Sequence, residues 1–182
     1  MKALILIDLI NDLLIKRGYL EKLDKDFFEN LSKTIKNAKN KGLLIIHVKL
    51  GFLDNYENQP KSSPLFGKAH EFGLFKIGSE GTEFYNKNDI LTSDIIITKS
   101  RVNPFYNTDL DKILKQNNIS EIFVGGIATD LAVSSFAREA HDRDYKVNIL
   151  SDLCGSLNYE DHENELKILA KIANIKASDE IN

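Results

Sequence analysis

The chain has 182 residues, a formal net charge of −3, 42% hydrophobic residues and 28% charged residues. This composition is typical of a soluble protein with a full core, and we expect a single domain over residues 1–182. The charge argues against binding to nucleic acid or an anionic membrane, and no apolar run approaches the roughly 20 residues that span a bilayer. One cysteine, Cys154, excludes an intramolecular disulfide, and we expect a cytoplasmic location.

Apolar runs alternate with helical patterns along the chain. The predicted strands cover residues 3–8, 43–50, 94–98, 121–127 and 146–150, with a short sixth strand at 174–177. The predicted helices cover residues 27–40, a segment after Thr108, residues 130–142 and residues 160–173. This alternation predicts an α/β fold: a three-layer α/β/α arrangement around a doubly wound, six-stranded parallel sheet.

One long stretch interrupts the alternation. Residues 51–77 form no regular pattern, but they contain Pro60, Pro64 and several aromatic side chains. A loop of this length in a compact domain usually has a function, such as a lid or a subunit contact.

Three segments that contain candidate catalytic residues lie at the carboxyl ends of predicted strands. Asp8 ends the first strand, Lys99 follows the third, and the fourth runs into Gly125–Asp130 and then a helical pattern that contains Ala132. Ligands of doubly wound sheets bind beyond these ends, and a helix that starts there points N–H groups at a developing anion. Asp8 could therefore be a buried general base, with Lys99 as its cationic partner.

Each of these residues also has a purely structural interpretation. Asp8 could cap a helix, Lys99 could be an exposed charge at a strand end, and Asp130 could be the N-cap of the following helix. Arg101 could bind a substrate carboxylate or form a surface ion pair. Cys154 follows a different strand and fits a buried structural thiol better than a nucleophile.

Four segments in order resemble the isochorismatase-like cysteine hydrolases, the superfamily of nicotinamidases, N-carbamoylsarcosine amidohydrolases and isochorismatases. ALILIDLINDLL resembles the opening strand with its catalytic aspartate, and GSEGTEFY resembles the central glycine-rich turn. ITKSRVNPFYNTDLDKIL resembles the lysine segment, and FVGGIATDLAVSSFAREAHDRDYKVNILSD resembles the nucleophile segment. In most members the last segment reads G-[VI]-A-T-D-x-C-V, and the cysteine position falls on Ala132.

The resemblance implies a role for each matched position. Asp8 would be the base, Lys99 its cationic partner, and position 132 the site of the attacking thiolate. A cis peptide bond would join Ile127 to Ala128, and the N–H groups of Ala128 and Ala132 would form an oxyanion hole.

The resemblance also implies a small amide or ureide as substrate and a homodimer or homotetramer as the assembly. The predicted substrate-binding residues are Arg101, Phe105, Tyr106 and Thr129. The zinc-binding cluster of nicotinamidases is not evident after His47, so we expect neither a metal nor another cofactor at the site.

Ala132 leaves three interpretations open, because alanine cannot act as a nucleophile. It could be an engineered Cys→Ala substitution that inactivates an amidohydrolase. It could belong to a natural isochorismatase-type enzyme, which cleaves a vinyl ether with the aspartate as acid. It could also mark a non-catalytic relative that serves as a binding or scaffolding module.

Overall fold

Six parallel strands form the centre of the computed structural model, which describes residues 1–181. The strands are β1 (Lys2–Ile7), β2 (Leu44–Leu50), β3 (Ile95–Lys99), β4 (Glu121–Ile127), β5 (Lys146–Gly155) and β6 (Asn174–Lys176). Their order across the sheet is β3-β2-β1-β4-β5-β6. The predicted six-stranded parallel sheet is therefore confirmed.

Helices cover both faces of the sheet. They are α1 (Phe27–Asn40), α2 (Leu110–Gln116), α3 (Ser134–Asp142) and α4 (Tyr159–Leu169). Alternate residues of β1 point to opposite faces, so Ile5 packs in one apolar cluster with α2, α3 and α4, whereas Leu4 packs in another with α1. These two cores on either side of the sheet confirm the three-layer architecture.

The winding of the chain reverses between β1 and β4. The first three strands run outward from β1 to one edge, and the last three run from β4 to the other. The carboxyl ends of β1 and β4 therefore flank the crevice where doubly wound sheets bind ligands.

Three elements differ from their predicted boundaries by four residues or more. The helix predicted over 160–173 is α4, which ends at Leu169. The helix predicted over 130–142 begins as a π-helical turn, Thr129–Val133, before α3 starts at Ser134. Strand β5 continues to Gly155, five residues beyond its predicted end, and its pairing with β4 shifts register between Val124 and Gly126. The π-turn and the register shift lie beside the crevice, where such irregularities redirect the backbone.

The long irregular stretch has its own small apolar cluster. Phe52, Phe66 and Phe75 pack edge-to-face with ring centroids about 6 Å apart, and Ile10 and Leu50 belong to the same cluster. The loop is thus packed against the end of the sheet. Among the described residues, no helix is both long enough and apolar enough to cross a membrane.

Candidate active site

Asp8 lies immediately beyond β1 with a left-handed backbone conformation, φ 59°. Its N–H donates a hydrogen bond to the carbonyl of Val48 at 2.8 Å, which fixes the residue between β1 and β2. The side chain is buried, and its Oδ1 has no hydrogen-bond partner. Buried carboxylate oxygens without a partner are rare in folded proteins, so we expect a functional role for Asp8 Oδ1.

Lys99 reaches Asp8 from the edge of the sheet. It is the last residue of β3, so its side chain must cross β2 to reach the end of β1. Its Nζ lies 2.6 Å from Asp8 Oδ2 and donates a second hydrogen bond to the carbonyl of Arg101 at 3.0 Å. The side chains of Lys99 and Asp8 are 1% and 5% exposed, so water screens this ion pair very little.

Two opposing effects act on the pKa of the Asp8 carboxyl. Burial disfavours the charged form and raises the pKa above its ordinary value. The Lys99 ammonium lowers it by charge attraction and by its hydrogen bond, but burial is the larger effect. A carboxyl group with a raised pKa can accept and return a proton near neutral pH more readily than an ordinary aspartate can.

The turn after β4 approaches β1 closely. Gly126 has φ +130°, and a Cβ atom at this residue would lie 2.1 Å from the carbonyl oxygen of Ile7, so only glycine fits here. The peptide bond between Ile127 and Ala128 is cis. The Ala128 carbonyl then accepts hydrogen bonds from the N–H groups of Leu131 and Val133, at 3.2 and 3.1 Å, which shape the π-helical turn.

Ala132 lies in that turn and is 4% exposed. It shares with Asp8, Lys99 and Ala128 a small cavity of about 30 Å³. The other residues that line the cavity are Leu13, Arg17, Tyr19, Leu50, Leu65, Phe66, Phe75, Val102, Ile127 and Leu131. The structure therefore brings together the residues predicted as base, cation, nucleophile position and oxyanion hole.

The four predicted substrate-binding residues do not line this cavity. The Arg101 guanidinium donates to the carbonyl of Asn58 at 2.8 Å and lies over the ring of Tyr106. Phe105 stacks on Phe136 in the core, with ring centroids 5.2 Å apart. Their role in substrate binding stays a prediction.

The fourth of these residues, Thr129, is bound to a helix instead. Its hydroxyl is 2.8 Å from Nδ1 of His162 on α4, and it has no exposed surface. Asp130 accepts a hydrogen bond from the Ser156 hydroxyl at 2.5 Å, and its side chain does not cap the helix. These contacts hold the turn that carries Ala132.

The thiol of Cys154 is outside the cavity, on β5 next to Gly126. Burial raises its pKa to about 12, so the thiol stays protonated at neutral pH and is a poor nucleophile. His47 is also buried, and its Nε2 is 3.2 Å from Asp94 Oδ2. Among residues 1–181, no group of three or more histidine, cysteine, aspartate or glutamate residues is placed to hold a metal ion.

Sequence reasoning missed the cavity wall between residues 13 and 19. The segment Asp12–Lys16 forms a π-helical turn and places Leu13, Arg17 and Tyr19 at the cavity. A five-residue π-turn has no repeating apolar pattern of its own, so no periodicity indicated it. The only available signal was its position directly after Asp8.

The whole described fold matches a known family model, that of the isochorismatase domain, over residues 2–180. The chain belongs to the isochorismatase family. It is 30% identical over 168 residues to the ureidoacrylate amidohydrolase RutB of Klebsiella pneumoniae, an alignment that covers 82% of this chain and 71% of that protein.

Solved structures share the fold. An isochorismatase family protein from Desulfovibrio vulgaris superposes with a TM-score of 0.87 at 19% identity, covering 98% of this chain and 94% of that one. The N-carbamoylsarcosine amidase of Thermoplasma acidophilum superposes with a TM-score of 0.77 at 21% identity, covering 100% and 98%. At these identities the likeness concerns the fold alone.

Proposed function

We propose that this site is that of an amidohydrolase for the C–N bond of a small amide or ureide, with position 132 as the nucleophile position. The observation that carries the proposal is the buried Asp8 Oδ1, which has no partner and lies on the same cavity as Ala132. The names of two similar proteins, a ureidoacrylate amidohydrolase and an N-carbamoylsarcosine amidase, support the same class of bond.

With a cysteine at position 132, each remaining group has a defined task. Asp8 takes the thiol proton, and the thiolate attacks the carbonyl carbon of the substrate. The N–H groups of Ala128 and Ala132 stabilise the oxyanion, and Asp8 returns the proton to the departing ammonia or amine. Water, deprotonated by Asp8, then hydrolyses the thioester. Lys99 holds the Asp8 carboxylate in place throughout.

With Ala132, the reaction stops before the first covalent step. The alanine methyl group has no proton to give and no lone pair with which to attack. We therefore expect the chain as it stands to bind its substrate and release it unchanged. Sequencing codon 132 of the gene tests whether the alanine is engineered: an alanine codon excludes that interpretation.

The decisive experiment restores the thiol. The A132C variant should release ammonia from at least one member of a panel of small amides and ureides that includes ureidoacrylate. The double variant A132C/D8N is the matched control and should be slower by about 100-fold or more, because it lacks the proton acceptor. A folded A132C protein that hydrolyses nothing in the panel would contradict the amidohydrolase proposal.

A second function, cleavage of a vinyl ether without a covalent intermediate, draws on one specific observation. Burial raises the pKa of Asp8, and a protonated carboxyl group can donate a proton to the double bond of an enol ether. The unmodified chain would then turn over isochorismate, and D8N would not. If A132C hydrolyses no amide or ureide and the unmodified chain does not cleave isochorismate, the results favour the non-catalytic interpretation.

The assembly also stays a prediction. A homodimer or homotetramer would show in light scattering as two or four times the mass of the 20.6 kDa chain.

A further inference from the structure

Arg17 is a charged side chain at the cavity that the proposed reaction does not use. It lines the cavity together with Asp8 and Ala132, and it is exposed. A side chain that both lines a cavity and contacts solvent lies where the cavity opens. The Arg17 guanidinium therefore lies at the entrance, and the Asp8–Lys99 pair lies inside.

The Arg17 guanidinium has no partner within the described part of the chain. No carboxylate of residues 1–181 forms an ion pair with it, and no hydrogen bond occupies its five donors. The Asp130 carboxylate lies close enough to Tyr19 to affect its pKa, accepts a hydrogen bond from the Ser156 hydroxyl and forms no ion pair with Arg17. A guanidinium presents its donors in a planar fork that matches a carboxylate, so this group can bind one without breaking an existing contact.

Charge balance at the cavity also favours an anion. Among the described residues that line it, the charged ones are Asp8, Lys99 and Arg17. Asp8 and Lys99 pair with each other at 2.6 Å, so Arg17 is the lining cation for which the cavity wall supplies no carboxylate. Tyr19 lies beside it: burial raises the pKa of the Tyr19 hydroxyl, Asp130 raises it further, and the Arg17 guanidinium opposes both. The Tyr19 hydroxyl is a neutral donor that can support a bound carboxylate.

The positions of the charged groups set which end of a substrate lies where. The side chains of Asp8 and Lys99 are only 5% and 1% exposed, whereas Arg17 is exposed. A substrate with its scissile carbonyl at the buried pair must extend the rest of its body toward Arg17. Several apolar side chains line the same cavity, among them Leu13, Leu65 and Leu131.

We infer that Arg17 binds a carboxylate at the end of the substrate remote from the scissile carbonyl. The substrate class is then a small monocarboxylate with a short apolar body and a terminal amide or ureide group. This inference rests on the proposed function for the orientation of the substrate, but the binding of the carboxylate can be measured without any turnover.

The test uses matched pairs of ligands on the chain as it stands, whose Ala132 leaves them intact. Isothermal titration compares ureidoacetate, 3-ureidopropionate and ureidoacrylate, each with its own neutral carboxamide. We expect each carboxylate to bind about tenfold or more tightly than its carboxamide, and R17Q to abolish that preference while leaving carboxamide binding unchanged. R17K, which keeps the charge but loses the fork, should retain part of the preference.

K25Q is the control for net charge, because Lys25 is exposed, is outside the cavity and loses the same single charge. Its preference should equal that of the parent chain. Equal preference in R17Q and the parent, or no binding of any of the three carboxylates to the parent, overturns the inference.

The two proposals fail independently. An A132C protein that releases ammonia while R17Q keeps the carboxylate preference would leave the amidohydrolase function standing and remove the role of Arg17. An Arg17-dependent carboxylate preference combined with an inert A132C protein would support the role of Arg17 and contradict the amidohydrolase function.

Discussion

Lys99 Nζ lies 2.6 Å from Asp8 Oδ2, although the two residues lie at the carboxyl ends of strands that are not neighbours in the sheet. The ammonium group crosses the end of β2 to make this contact. Both side chains are nearly inaccessible to water, so each charge depends on the other for compensation. The pair therefore joins the edge of the sheet to its centre at the site itself.

Removing one member of this pair should lower the free energy of unfolding more than removing both members does. K99M leaves the Asp8 carboxyl buried without its cation, and we expect a loss of about 3–5 kcal/mol of unfolding free energy at neutral pH. The double variant D8N/K99M should recover part of that loss. Urea denaturation of D8N, K99M and the double variant measures these free energies. Additive effects of D8N and K99M would show that the two side chains do not stabilise each other.

The K99M defect should also depend on pH. The native state already raises the pKa of Asp8 above its ordinary value, and loss of Lys99 removes the effect that opposes this shift. The folded K99M protein then holds its proton more tightly than the unfolded chain does, so its stability is complete at low pH and falls as pH rises through the folded pKa. Denaturation at pH 4 and pH 8 compares the two ends of this range.

Asp12 should act as the anchor of the 51–77 loop. It has no exposed surface, its Oδ2 accepts the N–H of Phe75 at 2.6 Å, and its Oδ1 pairs with Lys16 at 2.7 Å. D12A leaves the Phe75 N–H buried and unpaired, which costs about 1–3 kcal/mol. Hydrogen exchange should accelerate at Phe75, whereas D142A, at an exposed aspartate, should exchange like the parent.

Gly126 should tolerate no side chain. A Cβ atom there would lie 2.1 Å from the Ile7 carbonyl oxygen, so G126A must push β1 and β4 apart, and we expect a loss of about 3 kcal/mol. Gly18 is the matched control, because it also has positive φ but nothing lies within 4 Å of its Cβ position. G18A should lose only about 1 kcal/mol, the cost of the left-handed conformation. Equal losses in the two variants would argue against the close approach.

Cys154 should make the protein sensitive to alkali. Its pKa is raised from the ordinary value of 9.0 to about 12, so the folded state keeps the thiol proton while the unfolded chain loses it. Stability from this group is complete below pH 9 and is lost as the pH rises toward 12. C154A lacks this group, so the difference in unfolding free energy between parent and C154A should shrink over that range. Parallel pH profiles would show that the thiol is not buried in the folded protein.

The sequence allowed the sheet and its helices to be predicted because buried parallel strands are continuous apolar runs. Strand β4 and helix α1 match the predicted bounds: the apolar run of β4 ends just before the polar pair Thr129 and Asp130, and the helical stripe of α1 ends just before Gly42. The extension of β5 was not predictable, because Ser151 and Asp152 interrupt its apolar pattern, while Ser178 binds the Asp152 carboxylate.

The centre of the site could be predicted from topology, and its wall could not. Asp8, Lys99 and Ala132 all lie at or beyond the carboxyl ends of parallel strands, so their convergence follows from the order of the elements. The contribution of Arg17 depends on a π-turn and on side-chain directions that no local pattern specifies. Phe105 belongs to the segment that resembles the family's lysine segment, but its ring packs on Phe136 in the core, which the local sequence did not indicate.

The edge position of β3 links the chemistry of the site to local unfolding. This strand is paired on one side only, by β2, and edge elements detach from a native protein at lower free energy than central ones do. Each detachment would withdraw the Lys99 ammonium and leave Asp8 alone in an apolar crevice. If the proposed proton transfer at Asp8 needs Lys99, its rate should follow the local opening of β3, which takes less free energy than global unfolding.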